Sequence, residues 1–547
     1  MKLILALCSC LVLAGNTLIQ AQSLSFDQLE AKIDGMIADD IDESAPGLMV
    51  GVVHEGEWVF EKGYGLANLA YGIPNGPNMV YNIGSVSKQF LGFAFATLQV
   101  QGRVNLDAPV NDFLEDWSEF EEEVHLRHLL THTSGYREAY TLSNLAGREI
   151  GVDRLSREEC LEVVRRQVKL EFSPGSRYTY NSTAWVILAE VFEQITDTTA
   201  EEWVEINLLK PFGMNWTQIE SYVGEVIQNP AESYTEQRGG GYMNPKSNRA
   251  IFGAAEVYAN VGDLAKWFHH TQRPGIASKA VQDQFLNSFQ LTDGTDAEYA
   301  LGIGVGSHRG LKRYRHTGGH EAFVTQLSYY PDHDLGIIVI SNFGGRASIP
   351  SEQIAELVLG AYMTEEADIE SQRIELPEEA LTAFAGLYVG IPLNQAFELN
   401  MQEGSLAFEG GTKLVPIGQQ EFGIQDWDGK MVFSQSSNGD MLLSLYDDQI
   451  QKLKRVPSWE PQGEELNAYV GNYWSEELET LYKAKVAAGQ LQLHHRWLGE
   501  INLNPITKHV FRSDWGFLVQ FIQGADGEIT GLEVNSGRTL GVWFERQ

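Results

Sequence analysis

Cysteine is almost missing from this chain, with three in 547 residues, and basic side chains are scarce, 39 Lys and Arg against 74 Asp and Glu. Cys8 and Cys10 lie in "MKLILALCSCLVLAGNTLIQAQSLS", where Lys2 precedes an apolar run from Leu3 to Ala14 and small residues lead to Ala21. That run is too short to span a bilayer and has the pattern of an export signal covering residues 1–21. A periplasmic or secreted protein is therefore expected, with no membrane span in its mature form. Both cysteines fall inside the apolar run rather than after it, which favours secretion over a lipid anchor. Removal of 1–21 would leave Cys160 alone and exclude an intrachain disulfide. Cys160 stands in "SREECLEVVRRQV" at helical spacing with Leu161, Val164 and Val168, so it reads as core.

The formal net charge is −35. Such a field repels phosphate backbones and anionic lipid heads, so nucleic acid is not an expected partner. The chain also lacks Gly-x-Ser-x-Gly, the nucleophile turn of α/β-hydrolases. "GIGVGS" (302–307) opens no helix and so is no nucleotide loop; close backbone approach in a strand explains its glycines better. The pairs His269-His270 and His494-His495 are adjacent, and neighbouring side chains on a regular element point apart, so no metal is expected.

What the chain does have is ample core: 43% hydrophobic and 11% aromatic residues against 21% charged. The length suggests about three or four domains. Residues 46–61 ("PGLMVGVVHEGEWVFE") read as two strands about a turn, and 301–345 turn strand-like again. Between them "SVSKQFLGFAFATLQVQG" has no polar face from Phe90 to Leu98 and reads as a buried helix. Strands at both ends of this segment imply one sheet with a helical region inserted. An acidic stretch, 364–380, reads as a linker. Beyond it short alternating strands dominate, and "LTAFAGLYV" (381–389) is echoed by "LNAYVGNYW" (466–474), 85 residues on, with Arg455 and Arg546 closing the two copies. Two copies of one small antiparallel β unit follow, at 380–456 and 464–547, behind a first domain at 22–364.

"IGSVSKQF" carries Ser85 and Lys88. A helix beginning at the serine would put the lysine one turn on, about 4.5 Å along the axis and on the same face. Buried among apolar neighbours, that amine loses solvation and its pKa falls toward that of a usable base. Ser-x-x-Lys alone occurs by chance about once in a chain this long, so its companions decide. "FSPGSRYTYNSTAW" supplies Tyr180, a phenol able to pass a proton when a cation lies beside it. "RYRHTGGHEAF" supplies His316, Thr317, Gly318 and Gly319 on a strand whose edge and backbone N–H can hold a carbonyl.

In this order the three blocks resemble the serine hydrolases related to class C β-lactamases and DD-peptidases. "KGYGLANLAYGIPNGPNMVYNIGSVSKQF", "HLRHLLTHTSGY" and "ANVGDLAKW" extend the resemblance over about 25–362. It implies an α/β fold, an antiparallel sheet flanked by helices with a helical subdomain, followed by two small lipocalin-like barrels. It further implies Ser85 as acylated nucleophile, Lys88 as its base, Tyr180 as general acid/base and an oxyanion hole at the N–H groups of Ser85 and Gly319. His316, Thr317, Gly318 and Gly319 would bind substrate, with Ser182 where the family commonly has Asn; no cofactor is implied. The domain order is similar to that of the D-aminopeptidases of the family. The expected partner is a small peptide or ester, with D-amino-acid-containing peptides the class that the resemblance implies. A slow-acylating penicillin-binding sensor, or an esterase whose tail binds a surface ligand, are the alternatives.

Overall fold

A computed structural model describes residues 26–37, 41–149, 151–273, 278–344, 349–365, 369–446, 450–462 and 464–547. The expected export signal, with Cys8, Cys10 and Ala21, lies outside them. Among them no helix is long and apolar enough to cross a membrane.

The sheet is indeed assembled from both ends of the first segment. Strands β1 (Leu48–His54) and β2 (Glu57–Tyr64) join β3 (Gly304–His308), β4 (Leu311–His320), β5 (Phe323–Tyr330) and β6 (Leu335–Ser341) in the antiparallel order β3-β4-β5-β6-β1-β2. Both faces are covered, which is why "LMVGVV" and "LGIIVIS" read as unbroken apolar runs rather than alternating ones. On one face Leu48, Val50, Val52, Ile337 and Val339 pack with α1 (Phe26–Ile37) and α5 (Ser351–Leu359), through Ile33, Ile354 and Leu359. On the other, Met49, Ile338 and Ile340 pack into a larger core that holds α2 (Lys88–Val100), α3 (Thr183–Thr196) and α4 (Val261–Thr271). The helix carrying Cys160 ends at Arg165, one turn earlier than the apolar spacing suggests. Cys160 is buried, while Val168 is exposed.

Two eight-stranded sheets follow. The first runs from Gly386–Gly390 to Ile450–Val456 and is nearly closed, its end strands joined by a bridge between Ala407 and Lys413. The second, Gly471–Ser475 to Thr539–Arg546, is a closed barrel. The internal repeat is a repeat of contacts. Tyr388 donates its hydroxyl hydrogen to Phe384 O at 2.8 Å, and 85 residues on Tyr473 does the same to Tyr469 O at 2.7 Å. Arg455 and Arg546 each reach back to the carbonyl just before the first strand of their unit, Ala385 and Val470. The stretch expected to be a linker is instead partly strapped to the first β unit: Ile374 N bonds Pro416 O, and the Ile369 side chain covers Gly423. Ile506, Val510 and Leu518 of the barrel pack against Leu387, Val389 and Leu393 of the preceding unit.

Candidate active site

Ser85 does not begin the α-helix. It sits in a 3-10 turn, Gly84–Ser87, that runs straight into α2 at Lys88. Gly84 has φ +54°, a conformation that disfavours any residue with a Cβ. Space excludes one as well, since a Cβ there would lie 2.6 Å from Gly319 N. On β4, a Cβ at Gly318 would lie 2.0 Å from Ile83 O. The serine turn and the His316–Gly319 strand therefore touch backbone to backbone. Because β3 stops at Gly304, opposite Arg315, it does not pair with the outer edge of residues 316–320, and the serine turn packs there instead.

Lys88 is completely buried, yet its ammonium is not alone. Nζ lies 3.1 Å from Ser85 Oγ, 3.4 Å from Ser182 Oγ and 2.8 Å from Ala254 O. Burial drives its pKa down to about 7, the carboxylate of Glu138 opposing the fall and Arg538 adding to it. An amine so poised can take the proton of an adjacent hydroxyl near neutral pH. Ser85 itself remains partly accessible among buried neighbours.

Tyr180 stands beside the pair. Its ring centroid is 5.0 Å from Lys88 Nζ and 4.7 Å from the Arg538 guanidinium. The hydroxyl is buried and has no hydrogen bond of ordinary geometry. Burial raises its pKa foremost, while Ser85 and Arg538 pull it back. Asn181, between Tyr180 and Ser182 in the chain, points elsewhere: Nδ2 donates to Tyr136 O and Oδ1 accepts from Ala184 N in the first turn of α3. Ser182 reaches Lys88, and its backbone N–H is held by Glu138 Oε2 at 2.7 Å.

His316 and Thr317 do not sit as the sequence implies. His316 Nδ1 donates to Thr317 O at 2.6 Å, so Nε2 accepts the Tyr299 hydroxyl at 2.7 Å. Both ring nitrogens are thus spent within the protein, and burial pushes the pKa down to about 3, leaving the ring neutral. Thr317 follows the two-residue alternation of a strand onto the opposite face, where it lines a cavity with Arg313, Arg315 and Gln326. Only its backbone belongs to the Ser85 side. Gly318 and Gly319 do lie against the serine turn, and the space beside Gly319 is open.

Sequence reasoning missed four contributors. Ala254 acts through a carbonyl and carries no side-chain signal. Glu138 and His132 lie in or beside "HLRHLLTHTSGY", which was matched as a block without assigning them; His132 takes φ +58°, and its ring is 4.1 Å from that of Tyr180. Arg538 comes from the far end of the chain, in the turn between β7 (Ile529–Ser536) and β8 (Thr539–Arg546) of the barrel.

Residues 26–359 match the Beta-lactamase family. A D-aminopeptidase of Brucella anthropi is 24% identical over 528 residues, covering 92% of this chain and 95% of that protein. A D-aminopeptidase of Cereibacter sphaeroides is 26% identical over 320 residues, 58% of this chain and 60% of its own. Among solved structures, the octameric penicillin-binding protein homologue from Pyrococcus abyssi superimposes with a TM-score of 0.55 at 22% identity, over 79% of this chain and 100% of that one.

Proposed function

The chain belongs to the Beta-lactamase family and is a serine hydrolase of that type; from this premise we propose that it is exported and cleaves amide bonds in D-amino-acid-containing peptides through an acyl-enzyme on Ser85. The observation that carries the reading is the 3.1 Å contact between Ser85 Oγ and the amine of a wholly buried lysine. Neutral Lys88 takes the hydroxyl proton as Oγ attacks the carbonyl. The N–H groups of Ser85 and Gly319 hold the oxyanion. Tyr180, kept protonated by burial and flanked by two cations, hands a proton to the departing nitrogen. Water then adds to the ester carbon, and Ser85 Oγ leaves with a proton relayed back through the same groups. Ser182 orients Lys88 in place of the family's usual Asn. The D-amino-acid preference is supported by the D-aminopeptidase relatives, one of which aligns across both β units as well.

The test is a panel of D-aminoacyl amides, D-Ala-D-Ala peptides, nitrophenyl esters and a chromogenic cephalosporin, run on the purified chain and on Ser85→Ala. Turnover of a D-amide that vanishes in the variant supports the proposal. Equal turnover of L- and D-amides removes the stereochemical part, and activity surviving in Ser85→Ala removes all of it. N-terminal sequencing of protein recovered outside an expressing cell tests export, with cleavage after Ala21 expected.

A further inference from the structure

Four consecutive residues, Ala254 to Val257, brace the turn that carries Ser85. Ala254 O accepts from Lys88 Nζ at 2.8 Å, Val257 N donates to Ser87 Oγ at 3.1 Å, and Val257 O accepts from Ile83 N at 2.9 Å. The fourth brace is a side chain. Glu256 Oε2 accepts from Asn82 Nδ2 at 3.2 Å, and Asn82 Oδ1 in turn accepts from Gly84 N at 2.9 Å, one residue before the serine. Asn82 and Glu256 are both completely buried. Two features of Glu256 are unfavourable in themselves. Its φ is +78°, where a residue with a Cβ is strained and glycine is not. Its carboxyl is withdrawn from water although Oε1 has no hydrogen-bond partner among the described residues. A glycine would relieve both, but it would remove the oxygen that fixes the Asn82 amide.

On its other side Glu256 faces the strand of Gly319. Arg249 Nη2 lies 3.4 Å from His320 Nδ1; an arginine can only donate, so that nitrogen accepts and the His320 proton sits on Nε2, 3.6 Å from Glu256 Oε2. His320 directly follows Gly319 in the chain. Glu256 thus stands between the two backbone segments whose N–H groups, at Ser85 and Gly319, hold the oxyanion. Burial raises its pKa to about 8 despite Arg249, so at neutral pH Asn82 meets an uncharged acid.

We propose that Glu256 is a positioning residue: through Asn82 it anchors Gly84, whose dihedral angles set the direction of the Ser85 N–H, and so aims one half of the oxyanion hole. This rests on the serine-hydrolase reading above and concerns its acylation step. Gly84 cannot steady itself, because its φ of +54° and the closeness of Gly319 N exclude a side chain there. Its N–H is held instead by the Asn82 amide, and the amide by the glutamate. Both side chains are sealed from the cleft, so they act only through the backbone they hold.

The experiment measures turnover of nitrophenyl acetate near neutral pH, per active site counted as acyl adduct by intact mass spectrometry. The proteins compared are the native chain, Asn82→Ala, Asn82→Asp, Glu256→Leu, Glu256→Gln and the double variant Asn82→Ala/Glu256→Leu. Asn82→Ala and Glu256→Leu should each lower kcat by about ten- to a hundredfold, as when an oxyanion donor is misaligned rather than removed, with KM within about twofold of native. Asn82→Asp keeps an oxygen for the Gly84 N–H and Glu256→Gln keeps one for Asn82, so each restores at least part of the rate. Because the two side chains act through one chain of hydrogen bonds, the double variant should be no slower than the slower single one. A native rate in Asn82→Ala, additive losses in the double variant, a Glu256→Gln as slow as Glu256→Leu, or a loss carried by KM overturns the proposal. Should Glu256→Leu melt below the assay temperature, Asn82→Ala against Asn82→Asp decides alone. Ser85→Ala separates the two readings. If it still turns the ester over, the hydrolase reading fails; if it is inactive while Asn82→Ala matches the native protein, only the positioning proposal fails.

Discussion

Arg137 and Glu477 form a two-pronged ion pair, 2.8 and 2.7 Å, between the catalytic segment and the C-terminal barrel, with side chains only 1% and 4% exposed. Water is excluded, so each charge depends on the other. Removing the carboxylate as Glu477→Ala leaves the buried guanidinium with only a longer contact to a carboxylate, Glu171 at 3.9 Å, and should cost about 3–5 kcal/mol. Because Arg137 also holds Leu540 O and Gly541 O, the Arg538 turn loosens with it. Calorimetry is expected to show the barrel transition moving to lower temperature. An unshifted trace would mean that the two parts are not energetically joined here.

Activity should track the charge of Lys88. Its pKa is lowered to about 7, burial being the main cause. Below that pH the amine is cationic and cannot accept the Ser85 proton; above it the amine is neutral and can. The log of kcat/KM should therefore rise with unit slope below about pH 7 and level off above it. Lys88→Arg, always charged, should lose at least a thousandfold at every pH. A flat profile from pH 5 to 9 would assign the proton to another group.

Gly318 and Gly319 are adjacent and should respond in opposite ways. Gly318→Ala drives a methyl into Ile83 O, separates the strand from the serine turn and should reduce acylation by a hundredfold or more. At Gly319 nothing lies within 4 Å of the new carbon, so Gly319→Ala should fold normally. Melting temperatures and acylation rates of the two variants check this. Equal tolerance would show that the backbone contact is dispensable.

The Lys88 to Ser182 contact, at 3.4 Å, is the longest of the three made by the amine. Ser182→Ala should lower kcat/KM by only about two- to tenfold, the worth of a weak hydrogen bond. Rapid-quench rates of acylation measure it. A thousandfold loss would give Ser182 a direct part in proton transfer.

Glu256 carries a pH dependence of stability. It is wholly buried, accepts from Asn82 at 3.2 Å, and burial raises its pKa to about 8 despite Arg249. Facing it are His320, 3.6 Å away with its pKa held well below the ordinary value by burial, and, at longer range, Glu220 and Glu321. The folded state holds this proton where the unfolded state has already lost it, so stability falls as pH climbs from about 4.5 to about 8. Glu256→Gln, which cannot ionise, should be more stable than the native protein at pH 9 by on the order of 1–3 kcal/mol and differ little at pH 4. Denaturant melts at the two pH values decide.

Side-chain patterns made most of the fold readable. Ser85, Lys88 and Tyr180, the proposed nucleophile, base and acid, were legible as side chains at fixed spacings, and the fold brings them together. The two β units showed themselves because Tyr388 and Tyr473, with Arg455 and Arg546, repeat the same contacts 85 residues apart. What escaped was set by the backbone or by distance along the chain. Ala254 contributes a carbonyl, which any residue would offer. Thr317 was read with its neighbours, although strand alternation turns its side chain to the other face. His316 was expected to meet substrate, but Tyr299 takes its second nitrogen, a contact made only by folding. Arg538 lies beyond the span that resembles the family, and no local pattern marks it.

The most direct measurement is intact mass spectrometry of the protein mixed with a nitrophenyl ester and quenched within milliseconds to seconds. The account predicts a one-to-one acyl adduct mapping to Ser85, forming faster as pH rises through 7 and missing from Ser85→Ala. An adduct on another residue, or steady turnover with no adduct when Ser85 is replaced, would contradict it.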